Sequence, residues 1–290
     1  MANSEYGSGF NLDALVVPVK AATVYAAQEA SLYLPGQIVP IIQVPAGSAS
    51  AQVPLMGSVT ATTISSEGAG GASPYAPQDF ETVIPTDTAK TITLSLHAAR
   101  TVLRDLGGID TADMGRILGN AIATAFDKAV TTQFASLTAQ ELSGTAPAGS
   151  LAVSDIFSAV ATIRGNGEGG KLFGIVSTNE YANLMSNIGS TAFAGGEFQN
   201  TAMRNGYFGT IAGVEMYVSS YLNDTDMGTS GQNPACAIFS QDAVKAAVQG
   251  GVKVEVARRP EAVGFDIVAS AAAGALLIDA SRGVLIKDAS

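Results

Sequence analysis

Pro18, Pro35, Pro40 and Pro45 punctuate the first 48 residues, through "LVVPVK" and "LYLPGQIVPIIQVPAG". Proline has no backbone N–H and a fixed φ, so this spacing works against a long helix, while the Leu, Val and Ile between the prolines call for burial. Such a stretch has no core of its own and is stable only when laid on another surface. It reads as an arm, residues 1–48, with room for one helix from about Val19 to Leu32 through "KAATVYAAQEASL". A second segment has the same need. The stretch "SSEGAGGASPYAPQDF", Ser65 to Phe80, separates two Thr/Val/Ile-rich segments, and in the second of them Thr91, Thr93 and Ser95 alternate with Ile92, Leu94 and Leu96. Residues 49–96 therefore read as a long two-stranded excursion with Ser65 to Phe80 as its tip. An isolated hairpin is marginal in water, so this one needs a neighbouring surface.

Composition points the same way. Charged residues are 14% of the chain, against about 25% in ordinary soluble domains, while hydrophobic residues reach 47% and glycines number 32. Interface cores are depleted in charge, so the economical reading is that much of the surface meets other protein; a monomer with an Ala/Gly/Ser/Thr-rich skin is the alternative. A formal net charge of −10 opposes nonspecific attraction to nucleic acid and anionic lipid. The single cysteine, Cys236 in "ACAIF", excludes an intramolecular disulfide or a cysteine zinc cluster and reads as a small buried hydrophobe, compatible with a cytoplasmic setting. The opening "MANSEYGSGF" carries no basic n-region, and "VASAAAGALLI" is too short to span a bilayer, so a soluble, unexported chain is expected.

The strongest helical signal follows "LGGID" and runs from about Thr111 to Leu137. Asp110 can cap it, Asp113 suits its positive end, and Met114, Ile117, Leu118, Ala121, Ile122, Ala125 and Ala129 follow helical spacing. At about 1.5 Å per residue it would be about 40 Å long, a spine across a whole domain. A second amphipathic helix is expected after a Ser154 cap, with Ile156, Phe157, Val160 and Ile163 on one face. The strand "KLFGIVS", a short helix "NEYANLM", and the strands "VEMYVSS" and "CAIFS" continue a mixed α/β region. In "GVKVEVARR", Val252, Val254 and Val256 share one face and Lys253 and Glu255 the other, and "ALLID" and "GVLIK" follow as short strands.

Several patterns imitate catalytic or ligand sites. "GNGEGGKL" places Gly165, Gly167, Gly170 and Lys171 like a phosphate loop, but the expected order is helix then strand, the reverse of what aims helix amides at an anion, and Leu172 stands where a hydroxyl would hold magnesium. A nucleotide-dependent enzyme using Gly165 to Lys171 is disfavoured by that order. His97 is the only histidine, which excludes histidine metal cages and most hydrolytic triads; a hydrogen-bonded or interface role suits it better. Asp224 and Asp226 begin like a calcium loop, but Thr229 and Ala235 occupy the positions for the required glycine and bidentate glutamate, so a solvated loop is expected. No catalytic group, cofactor or metal is indicated. A surface adhesin, suggested by the Ala/Gly/Thr content, is disfavoured by the lack of a signal segment.

In order, these pieces resemble the major capsid proteins of tailed bacteriophages, the Hong Kong 97 fold family, over essentially the whole chain. The resemblance rests on "TISSEG" followed by "DFETVIPTDTAKTITLSLHAARTVLRDLGGID", on "YFGTIAGVEMYVSSYL" and on "ACAIFSQDAV". It implies an α+β capsid fold: N-terminal arm 1–48, extended β-hairpin loop 49–96, peripheral domain with its spine helix 97–150, mixed α/β axial domain 151–251, and a closing C-terminal β segment 252–290. The implied function is structural: self-assembly into hexamers and pentamers of an icosahedral shell enclosing double-stranded DNA, built in the host cytoplasm and located in the virion capsid. A portal protein and a separate scaffolding protein are implied partners, since the chain lacks a long charged helical pre-segment. Some members weld the loop tip to a neighbour through a lysine; here no lysine occurs between Lys20 and Lys90, so clamping by arm and loop, or a cement protein, is implied instead. An encapsulin-type compartment is the alternative within the fold; that family opens with a cargo-docking helix, whereas a proline-punctuated arm favours phage.

Residues 1 to 89 contain one cation, Lys20, against seven acids, whereas Arg100, Arg104, Arg116 and Lys128 cluster around the spine. The expected subunit contacts therefore join Glu67, Asp79 or Glu81 of one copy to Arg100, Arg104 or Arg116 of the next. Alternatively these charges are solvated, or Arg104 is neutralised by Asp105 and Asp110 of its own chain.

Overall fold

The computed structural model describes residues 12–54, 89–104, 111–142, 150–190, 209–229, 233–262 and 264–287. Helix α1 runs Leu12–Ala30 with Pro18 inside it, so the first part of the arm is helical and begins earlier than its prolines suggested. An internal proline costs a helix about 3 kcal/mol, and tertiary packing offsets it. Helix α2, Thr111–Gln133, continues into a 3-10 turn, Phe134–Ser136, close to the expected spine. Its buried stripe is Met114, Leu118, Ile122, Phe126 and Val130. Ile117 and Ala121, expected on that face, are exposed instead, because the true stripe steps by four residues and Gly115 and Gly119 flank it toward α1.

The two helices lie side by side and parallel. Val19 and Ala22 meet Gly115, and Thr23 and Ala26 meet Gly119 one turn on. Beyond the end of α1, the buried Asp127 carboxylate receives the Ser31 hydroxyl and the Leu32 amide, the latter at 2.9 Å, together with the Tyr33 amide. Tyr33 is fully buried edge-on against Phe134. One carboxylate on the spine thus fixes where the helix stops and the arm turns.

Among the described residues, twelve strands form three sheets: β1 Ile41–Val44, β2 Ser50–Val53, β3 Lys90–Thr93, β4 Ser95–Arg104, β5 Thr138–Glu141, β6 Leu172–Ser177, β7 Thr210–Ile211, β8 Val214–Ser219, β9 Pro234–Ser240, β10 Val244–Arg259, β11 Gly264–Leu277 and β12 Gly283–Lys287. The first sheet has the order β1-β10-β11-β4, with β1 parallel to β10 and the rest antiparallel. Val254, Phe265, Ile267 and Ala269 of this sheet pack with Val19 of α1 and the first turns of α2. Val254 is buried and Lys253 and Glu255 exposed, the expected alternation.

The second sheet has the order β5-β12-β9-β6-β8-β7. Strand β6 is buried along its whole length because its two faces belong to different cores: Phe173 and Ile175 face Phe134, Phe239 and the arm's Tyr33, while Leu172 and Val176 face α3, Val153–Gly165. A strand covered on both faces reads as a continuous apolar run, as "LFGIV" does. Helix α3 is not capped by Ser154. Its N-cap is Ala152, whose amide donates to the buried Asp155 carboxylate at 3.0 Å, and Phe157, expected on the buried face, is 54% exposed. The short helix expected next is α4, Thr178–Ser190. Strands β7 and β8 close through Ala212 and Gly213, both at positive φ, the geometry of a tight two-residue hairpin.

Strands β2 and β3 pair in register, Ser50 with Thr93 and Val53 with Lys90, and form the base of the expected excursion. Its tip, Ser65 to Phe80, lies outside the described residues. The boundaries drawn at 96/97 and 251/252 fall inside β4 and β10. The first three residues of "ALLID", Ala275 to Leu277, are the end of the 14-residue strand β11, and the segment is not a separate short strand. Small alanines fill the middle of β11, and they masked its length.

Candidate subunit-contact surface

The patterns that resembled ligand sites are closed by their own side chains. At Gly165 to Lys171, helix α3 precedes the loop and β6 follows it, as the sequence order implied. Arg164 donates to the carbonyls of Glu168 and Gly170 at 2.8 and 2.9 Å, and the Glu168 carboxylate accepts the Gly170 amide at 2.8 Å. An anionic carboxylate therefore sits where a phosphate would need donors. Lys171 is paired with Glu215 at 2.7 Å and stands over the Phe173 ring. Asp224 and Asp226 are not a solvated loop but part of a one-turn helix, Asp224–Met227, capped by Asn223, with Asp226 paired to Lys128 of α2 at 2.7 Å. Among the described residues no group of metal-ligating side chains could hold an ion. Cys236 is fully buried in the second sheet, and burial pushes its thiol well above the ordinary range.

The surface expected to contact other copies is built on β4 and α2. Strand β4 is an edge of the first sheet, and its even-numbered residues Leu96, Ala98, Arg100 and Val102 point to the exposed side. Leu96 is 72% exposed, Ile117 on α2 65% and Phe157 on α3 54%, large apolar side chains open to solvent in the single chain. The sequence concealed them because each was assigned by periodicity to a buried face or to an ordinary strand alternation.

The predicted cations fare differently from one another. Arg100 Nε donates to Asp266 of its own chain at 2.6 Å, and a second contact between Nη2 and the other carboxylate oxygen makes the pair bidentate. That bond, and then the charge of Arg100, hold Asp266 below the usual carboxylate range. Arg100 is thus committed within the subunit. Arg116 is exposed on α2 and has no ion pair among the described residues. Arg104 ends β4, but its side chain, with Asp105, Asp110, Glu67, Asp79 and Glu81, lies outside the described residues, and so do the acid partners of every expected pair.

No protein-family model matches the sequence, and no curated protein matches it. Solved structures do. The capsid of cyanophage P-SCSP1u aligns with a TM-score of 0.61 at 17% identity over 88% of this chain and 87% of that one. The capsid of Ralstonia phage GP4 gives 0.62 at 11% identity over 86% of each. The chain has a capsid-protein fold. A virus-like particle from Pyrococcus furiosus shares this capsid fold with a TM-score of 0.62 at 12% identity, over 93% of this chain and 98% of that one. The likeness is a mixed α+β architecture carried by three-dimensional arrangement, at identities where side-chain identity has been almost wholly replaced.

Proposed function

We propose that this chain is the major capsid protein of a tailed bacteriophage, self-assembling into hexamers and pentamers of an icosahedral shell around double-stranded DNA. The observation that carries the reading is that the capsid fold extends over 88% of the chain in the cyanophage comparison. The charge-poor surface and the exposed Leu96, Ile117 and Phe157 suit a subunit whose faces meet other copies. On this reading the protein acts through interfaces and has no catalytic turnover, and residues 49–96 reach over an adjacent subunit. A scaffolding protein, a portal protein and a cement protein are its proposed partners, assembly takes place in the host cytoplasm, and the mature location is the virion. The net charge of −10 gives the wall little general affinity for the genome.

A second reading, an encapsulin-type compartment, gains from α1. The first part of the arm forms a helix despite Pro18, which removes the sequence argument against it. Expression with and without an added scaffolding protein, followed by sedimentation and negative-stain microscopy, tests both. Closed shells that need the scaffold support the phage reading, uniform small shells formed by the chain alone support the compartment, and monomers under every condition overturn both.

A further inference from the structure

The sole histidine, His97, stands on β4 opposite Ala271 of β11, at the one place where the β10–β11 ladder slips. Gln249 pairs with Ala272 and Lys253 with Ser270, so Gly250, Gly251 and Val252 bulge against the single residue Ala271, with Gly250 at φ +59°. Under the bulge is a cavity of about 180 Å³, walled by α1, β1, α2 and the bulge itself, and His97 lines it. One ring nitrogen bonds the Ala273 backbone; Nε2 is buried without a partner among the described residues. The polar side chains that join His97 around the cavity are Gln28 of α1 and Gln43 of β1, and among the described residues no other titratable or charged group lines it.

We infer that His97 is a protonation switch for the seating of the N-terminal arm: neutral, it lets α1 and β1 close over the first sheet, and protonated, it opens the cavity and loosens them. A neutral imidazole donating through Nδ1 presents only a lone pair to the cavity. An imidazolium presents a second N–H and a full charge to walls whose described residues include no carboxylate, and an unpaired charge in an apolar site draws in water or expels its neighbours. The walls able to give way are α1, which crosses the cavity at Gln28, and the glycine bulge. Burial lowers the affinity of His97 for a proton, and the Ala273 bond offsets this in part, so the ring titrates below its ordinary 6.5. The folded chain then binds fewer protons than the unfolded one as pH falls below 6.5, and stability is lost on acidification through that window, the direction the switch requires.

The test is hydrogen exchange on the full chain at about pH 7.5 and about pH 5, corrected for intrinsic rates, beside the imidazole resonance, which is unambiguous with one histidine. Protection across residues 19–44 should fall along the His97 titration curve, by about tenfold for each pH unit of depression, while β6 and β9 hold. His97→Leu and His97→Gln should remove the response. If either folded variant keeps the acid response, if wild-type protection stays flat while the ring titrates, or if the ring does not titrate above about pH 5, the inference is overturned; should neither variant fold, the wild-type correlation alone decides it.

Discussion

Gly119 of α2 lies so close to Ala26 of α1 that a Cβ on the glycine would stand 2.8 Å from the Ala26 Cβ and 2.5 Å from the Thr23 carbonyl oxygen. Gly115 repeats the approach against Ala22 one turn earlier. The arm helix therefore rests on the spine backbone to backbone. Helix propensity alone favours Gly119→Ala by about 1 kcal/mol, whereas overpacking a backbone contact costs about 1–3 kcal/mol. We expect a net loss in stability, read as a lower urea midpoint; an unchanged or raised midpoint would mean that the helices are not in contact at this point.

Asp127→Ala should cost about 3 kcal/mol, since three donors of the arm lose their acceptor and each unpaired buried group costs roughly 1–3 kcal/mol. The pH dependence adds a second check. Burial, only partly countered by the bonds from Ser31, Leu32 and Tyr33, raises the Asp127 carboxyl above its ordinary 3.8. Between those two values the folded state binds more protons than the unfolded one, so this group's contribution falls as pH rises through the window. The stability difference between wild type and Asp127→Asn should shrink as pH rises across it, and a difference that grows instead would contradict the assignment.

Much of this architecture was legible because it depends on periodicity and turn chemistry: the spine helix, "KLFGIVS" as a strand, and Val254 in against Lys253 and Glu255 out. What escaped the sequence depends on partners distant in the chain. Pro18 breaks helices by a local rule, but α1 is held by Gly115 and Gly119, far along the sequence. Ile117 and Phe157 satisfy helical spacing yet stay exposed, since periodicity gives an apolar arc wider than the surface that covers it. Arg100 looked available because its acceptor, Asp266, lies near the start of β11, a strand of which only the end, "ALLID", was legible in the sequence.

With Arg100 held by Asp266, Arg116 is, of the three predicted arginines, the described one left open to an acid of a neighbouring copy. Arg116→Glu should lower the yield of shells, and Glu81→Arg in the same chain should restore part of it. Exposed pairs are individually weak, but a shell repeats each one in every subunit. Unaltered yield in the single variant would remove Arg116 from the interface.

Boiled shells should run on a denaturing gel as a single band near 29.3 kDa, because residues 21 to 89 contain no lysine for an isopeptide bond. A ladder of oligomers resistant to denaturant would place the bond at another lysine.

The parallel pairing of Ile42 with Ala247 has a bearing on how the chain is born. About two hundred residues separate the partners, and long-range pairings of this kind form late. While the ribosome is still extending the chain, the arm has no seat of its own, but any nearby copy whose own arm is not yet seated offers the same strand edge. Exchange of arms between copies is thus a natural by-product of synthesis in a crowded cell. Cysteines at positions 42 and 247 would distinguish the two histories, giving a bridge within one chain for an arm at home and between two for an arm exchanged.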